Sequence, residues 1–167
     1  LNLWINNLND LITPSSKPNA DDKNPKHIQF VSGLNLRSGN TERVNIKGTT
    51  IVKNIHDEMK EKLYLQLSKK YGADNVGTEI YIGQKKIDLV VKHLESYDLY
   101  EVKTNQDVRI CIREAIGQII DYAFFECKDR IGKMFIIGPN QISKEAVEYL
   151  KNIRFKHNLP IYYQSID

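Results

Sequence analysis

Two cysteines, Cys111 and Cys127, are all that the 167 residues contain. They form no CxxC pair, so neither a disulfide framework nor a zinc site is indicated, and a reducing cytoplasm is the natural compartment. No apolar run approaches the length that crosses a bilayer, which argues against a membrane partner. The start lacks a basic region ahead of an apolar stretch, so no signal peptide is read there. Neither sign of charge dominates: 24 Lys and Arg against 21 Asp and Glu leave +3. That balance permits nucleic-acid binding but is far from that of a coating protein.

What is present fits one compact domain with an extra arm. Residues 1–26 read as arm and linker: Leu3, Trp4 and Leu8 have helical spacing and precede a polar stretch containing Pro14 and Pro18. Such a short helix is marginal alone and needs the main body or a partner to pack on. Residues 27–167 read as the domain. A chain opening on Leu1 reads as a processed product or a piece of a longer parent, where further domains are expected.

Within the domain, residues 27–32 alternate as a short strand, and 33–48 read as loop or hairpin. Val52, Ile55, Met59, Leu63 and Leu67 recur every three or four residues, predicting an amphipathic helix over 50–71 with Gly72 as its stop. Three strands, 76–82, 86–92 and 99–104, follow with short connections that favour an antiparallel meander. A helix over 109–126 and a buried strand over 133–138 come next. Ser143 is positioned to cap a helix to about residue 156, and 160–164 forms a last strand. The expected class is α/β, a mixed central sheet flanked by helices.

The strands carry charges that need an account. If the second meander turn lies near Leu94 and Glu95, midway between Asp88 and Glu101, the two carboxylates stand opposite each other and Lys103 shares their face. Ile87, Leu89, Val91, Tyr100 and Val102 then point to the hydrophobic side. Paired carboxylates repel, and a divalent cation removes the repulsion; hard oxygen ligands suit Mg²⁺ or Mn²⁺ better than zinc. Lys103 is placed to hold and polarise a water for in-line attack on a phosphodiester. By itself an Asp followed by Glu-x-Lys is weak, since cross-strand charge pairs are common solvated neighbours.

The context adds to it. With Asp88 in the second strand, Glu101-Val102-Lys103 in the third, and helix, three strands, helix and strand in that order, the chain resembles the PD-(D/E)XK nuclease superfamily. The resemblance covers residues 50–138, an αβββαβ core, with Ile87 where the eponymous proline would stand. Gln118-Ile119-Ile120-Asp121-Tyr122 resembles the Gln-x-x-x-Tyr element of RecB-like members, two side chains one helical turn apart. The segments around Glu79, Glu101 and Ile112 are similar to nuclease domains of bacterial defence and restriction-type proteins.

The resemblance implies a Mg²⁺-dependent endonuclease acting on DNA. Asp88, Glu101, the Val102 carbonyl and the helix acid Glu58 would hold the metal, Mn²⁺ would substitute, and Lys103 would assist the nucleophile. Gln118 and Tyr122 would flank the site. Asp57, Glu61 and His56 compete with Glu58, because the phase of the first helix is not fixed tightly by pattern alone. His56 is alternatively a phosphate contact, a general acid or a structural histidine. Glu79, on the first core strand, has the weaker warrant and is set aside.

Arg109, Arg113, Lys85, Lys86, Arg37, Arg43 and Lys47 are candidates for contacts to the nucleic-acid backbone, or are solvated surface. A homodimer would suit cleavage of both strands, although no heptad or symmetry signal supports one. Two alternatives stand: a non-catalytic nucleic-acid-binding or assembly module that keeps the fold, and an effector that cleaves RNA. Neither a target sequence nor a base modification can be read from these residues.

Overall fold

The computed structural model describes residues 26–35, 41–45, 48–52 and 55–166. Among them a six-stranded sheet runs β1 (Ile28–Gln29), β4 (Val76–Ile82), β5 (Lys85–Lys92), β6 (Tyr97–Val102), β7 (Ile131–Gly138) and β8 (Ile161–Ser165) in spatial order. The remaining strands, β2 (Thr41–Asn45) and β3 (Gly48–Val52), pair as a separate antiparallel hairpin. The helices are α1 (Ile55–Tyr71), α2 (Val108–Ile120) and α3 (Lys144–His157). The expected α/β class, with its mixed sheet flanked by helices, is what the chain adopts.

The central meander β4–β5–β6 is antiparallel, and β7 and β8 add in parallel through the crossovers α2 and α3. Parallel neighbours need such long connections. Apolar residues divide between the two sheet faces. Met59, Leu63 and Leu67 of α1 pack with Leu89, Val91, Tyr100, Val102 and Ile137, while Cys111, Ile112, Ala115 and Ile119 of α2 and Leu150 of α3 pack with Val90, Leu99, Met134 and Ile136. Both faces are therefore covered, and the charged residues do not sit on an open face of the sheet.

Three local expectations change. Helix α1 begins at Ile55 rather than residue 50, because Thr49, Thr50, Ile51 and Val52 form a β-branched run that favours the extended hairpin strand β3. Ile87 packs on the α2 side, opposite Leu89 and Val91, so strict alternation fails at Asp88. The second helix stops at Ile120 and continues as a π-helical turn, Asp121–Glu126. The arm and linker lie outside the described residues apart from Lys26.

Other signals hold. Gly72, with φ 88°, ends α1, and Ser143 caps α3 by accepting from the Ala146 amide at 3.2 Å. Gly77 has a packing reason: a Cβ there would come within 2.3 Å of the Val31 carbonyl oxygen. The segment ahead of β4 thus lies directly against the sheet, with Gly33 bridging Gly77.

Leu63, fully buried under α1, anchors the helix that reaches the charged cluster described below. Leu63→Ala should lower unfolding free energy by about 2–5 kcal/mol. Urea denaturation checks this, with a lower midpoint and an unchanged slope as the expected result.

Candidate active site

Asp88 and Glu101 meet where the β5–β6 ladder ends. Its register runs Lys92↔Tyr97 to Leu89↔Tyr100, so one further step sets Asp88 against Glu101. At that step a side chain replaces the backbone as acceptor: the Val102 amide donates to Asp88 Oδ2 at 2.9 Å. On its other edge β6 stays paired with β7, Glu101 opposite Ile136 and the Lys103 amide donating to the Ile137 carbonyl at 2.8 Å. Both acids are thereby held by strands rather than loops.

Helix α1 brings its first turn to the same place. Met59, Lys60, Leu63 and Leu67 are its buried residues, and His56 lies one turn ahead on that face. Its Nε2 is 3.3 Å from Asp88 Oδ2. His56 is therefore an α1 residue in contact with Asp88. Glu58 follows two residues further along the helix, half-buried like His56. It remains an expectation from the resemblance, on the same first turn as His56.

Lys60, 1% exposed, continues the cluster, with its ammonium 3.0 Å from Asp57 Oδ1 and bonded to Glu79. Lys86 bonds the other oxygen of Glu79. Lys86 is thus engaged by an internal acid. Glu79, set aside on sequence grounds, proves to be the acceptor for both lysines. Burial disfavours its charge, but the bonds from Lys60 and Lys86 outweigh that and hold its carboxyl below the ordinary range. Burial works against the charge of Lys60, but its bonds to Glu79 and Asp57 outweigh that and hold it above its usual value.

Glu101 has a different environment. Its Oε1 accepts from Lys103 Nζ at 2.6 Å, while its Oε2 is buried without a hydrogen-bond partner. Burial first, and then the charge of Asp88, push its carboxyl up to about 7, with Lys103 opposing. Asp88 moves the other way. Burial resists its charge, but the bond and charge of His56 and the Val102 amide hold it below 3.8. His56 is raised correspondingly by its bond to Asp88, against burial. Two carboxylates with divergent protonation thus share one site.

Tyr122, on the π-helical turn, is buried and close enough to both acids that their charges add to the effect of burial, raising its phenol to about 12. Gln118 is solvent-exposed on α2. The pair matched from sequence thus has its ring inside and its amide outside. Arg109 and Arg113 are exposed and line a groove of about 610 Å³ between α2 and α3 with Asp107, Glu145 and Tyr149, apart from the acid cluster. The side chain of Arg43 on β2 lies outside what is described, as do Arg37 and Lys47.

The sequence reading kept His56 as a competitor of Glu58 and did not include Lys60. The available signal for Lys60 was its place three residues before Leu63 and seven before Leu67, a spacing that puts it on their helix face. Among the described residues no three His, Cys, Asp or Glu side chains converge as a ready metal cage, and no helix is long and apolar enough to cross a membrane. Comparison of the chain with protein-family models, curated proteins and solved structures finds no match.

The raised Glu101 has a definite stability signature in the metal-free protein. Between about 4.5 and about 7 the folded state holds a proton that the unfolded state has lost, so this contribution is present at low pH and lost as pH rises through the window. Asp88 acts oppositely, contributing above its ordinary range and losing that as pH falls. Glu101→Gln should therefore stabilise the protein at pH 8 by about 1–3 kcal/mol and much less at pH 5. Equal differences in urea melts at the two pH values would show that Glu101 ionises normally.

Proposed function

We propose that the chain is a divalent-metal-dependent nuclease that hydrolyses phosphodiester bonds of DNA at Asp88, Glu101 and Lys103. The observation that carries this is the Glu101 carboxylate, buried at 4% exposure with Oε2 unpartnered and a second carboxylate beside it. A buried oxygen without a donor is costly, and two acids in one site aggravate the cost. A cation between them answers both.

The donor set fits a hard cation. Asp88 and Glu101 offer carboxylate oxygens. The Val102 carbonyl points to the same strand edge as its amide, which faces Asp88. Three protein oxygens with water in the other positions suit Mg²⁺ or Mn²⁺, ions that keep part of their hydration shell. When bound, such an ion neutralises charge on the scissile phosphate and acidifies the attacking water.

The chain's own groups do the rest. Lys103, tethered to Glu101, orients the attacking water and offers positive charge to the phosphate. His56 keeps Asp88 ionised and fixed. Tyr122, with its phenol held protonated, is a hydrogen-bond donor for a phosphate oxygen. The resemblance to PD-(D/E)XK nucleases in Asp88 and Glu101-Val102-Lys103 supports the same reading.

A cleavage panel of plasmid, linear duplex, single-stranded DNA and RNA with Mg²⁺ or Mn²⁺ should show metal-dependent DNA hydrolysis. Lys103→Ala should lower the rate by roughly a hundredfold or more. Asp88→Asn should remove the heat of Mn²⁺ binding in calorimetry. Intact substrates throughout the panel, or a Lys103→Ala rate equal to wild type, would overturn the proposal, and preference for RNA would reassign the substrate.

A further inference from the structure

The β4–β5 ladder has one gap. Thr78 pairs with Leu89 and Ile80 with Ile87, yet Glu79 and Asp88, which stand between those pairs, do not pair. Glu79 has φ 56°, a left-handed conformation in the middle of a strand. The only other described non-glycine residue with positive φ, Asn158, ends a helix, where that conformation is ordinary. An L-residue is rarely left-handed inside a strand unless its surroundings impose it.

The gap changes what the neighbours face. On β4, Val76 packs on the α1 side and Ile80 and Ile82 on the α2 side, although all three share one parity. On β5, Leu89 and Val91 pack on the α1 side and Ile87 on the other. Side-chain alternation therefore reverses at Glu79 and at Asp88 together. Asp88 sits at the reversal, with its carboxylate turned to the Val102 amide across the strand edge.

The Glu79 carboxylate fixes the elements around this point. One oxygen takes Lys60, which also holds Asp57 at 3.0 Å and so fastens the first turn of α1 that carries His56. The other takes Lys86, two residues before Asp88 on β5. With Lys60 at 1% exposure, the ion pair is internal, and breaking it leaves a buried charge with less compensation.

We infer that Glu79 is a positioning residue for Asp88: its left-handed backbone releases Asp88 from the ladder, and its carboxylate clamps α1 and β5 around it. The Mn²⁺ arm of the test rests on the nuclease reading, whereas amide exchange does not.

In Glu79→Gln, exchange of the Val102 amide should speed up by about tenfold or more while the Leu63 and Leu150 amides keep their protection. Mn²⁺ affinity measured by calorimetry should fall by about ten- to a hundredfold. Because Lys60 left without Glu79 can itself destabilise the fold, the double variant Glu79→Gln with Lys60→Met supplies the control. It should regain the wild-type urea midpoint yet keep the fast Val102 exchange. Wild-type exchange at Val102 in Glu79→Gln, or its recovery along with stability in the double variant, would overturn the inference. If the wild-type protein binds no Mn²⁺ and cleaves nothing, the nuclease reading fails while the Val102 exchange still decides the role of Glu79.

Discussion

The bond from the Val102 amide to Asp88 sets the terms for everything around it. An interior strand normally satisfies its amides from the backbone of its neighbour, and here a carboxylate oxygen takes that place at 2.9 Å. The exchange requires β5 and β6 to stop pairing at Leu89 and Tyr100, and it gives a charged side chain a fixed backbone donor. Glu101, one step past the last pair, is then enclosed beside Asp88 instead of being turned to solvent.

Enclosing those acids is tolerable only because opposite charges are built in around them. Lys103 bonds Glu101, His56 bonds Asp88, and Lys60 and Lys86 share Glu79. These groups come from α1, β4, β5 and β6, so the arrangement ties four elements together at one end of the sheet. A buried network of this sort does little for net stability. It does fix geometry, because each member left unpaired would be costly. Glu101 Oε2 is the acceptor the network leaves without a donor, and that makes this the point where an added ligand has the most to contribute.

Much of this was legible in the sequence for a simple reason. Antiparallel register follows from where the hairpin turns, and a turn near Leu94 and Glu95 is enough to set Asp88 against Glu101 without further information. The Ser143 cap and the Gly72 stop are similarly local. What escaped depends on distant contacts. Nothing in the residues flanking Glu79 announces a left-handed strand residue, and with it goes the reversal that sends Ile87 to the far face. Apolar spacing alone left the contact of His56 with Asp88 undecided. The π-helical turn at Asp121–Glu126 that carries Tyr122 is likewise something a period of 3.6 cannot foresee.

The two halves of the sheet also differ in when they can exist. The meander and α1 contain His56, Lys60, Glu79, Asp88, Glu101 and Lys103, all of them earlier in the chain than β7, whose residues Ile136 and Ile137 close over the far edge of β6. A chain growing from its amino end completes the charged residues first, while β6 still has an open edge and its carboxylates can remain hydrated. The crossover helix α2 and β7, which cover that edge, are synthesised after them. The order of synthesis thus places every member of the charged cluster ahead of the strand that closes the second edge of β6.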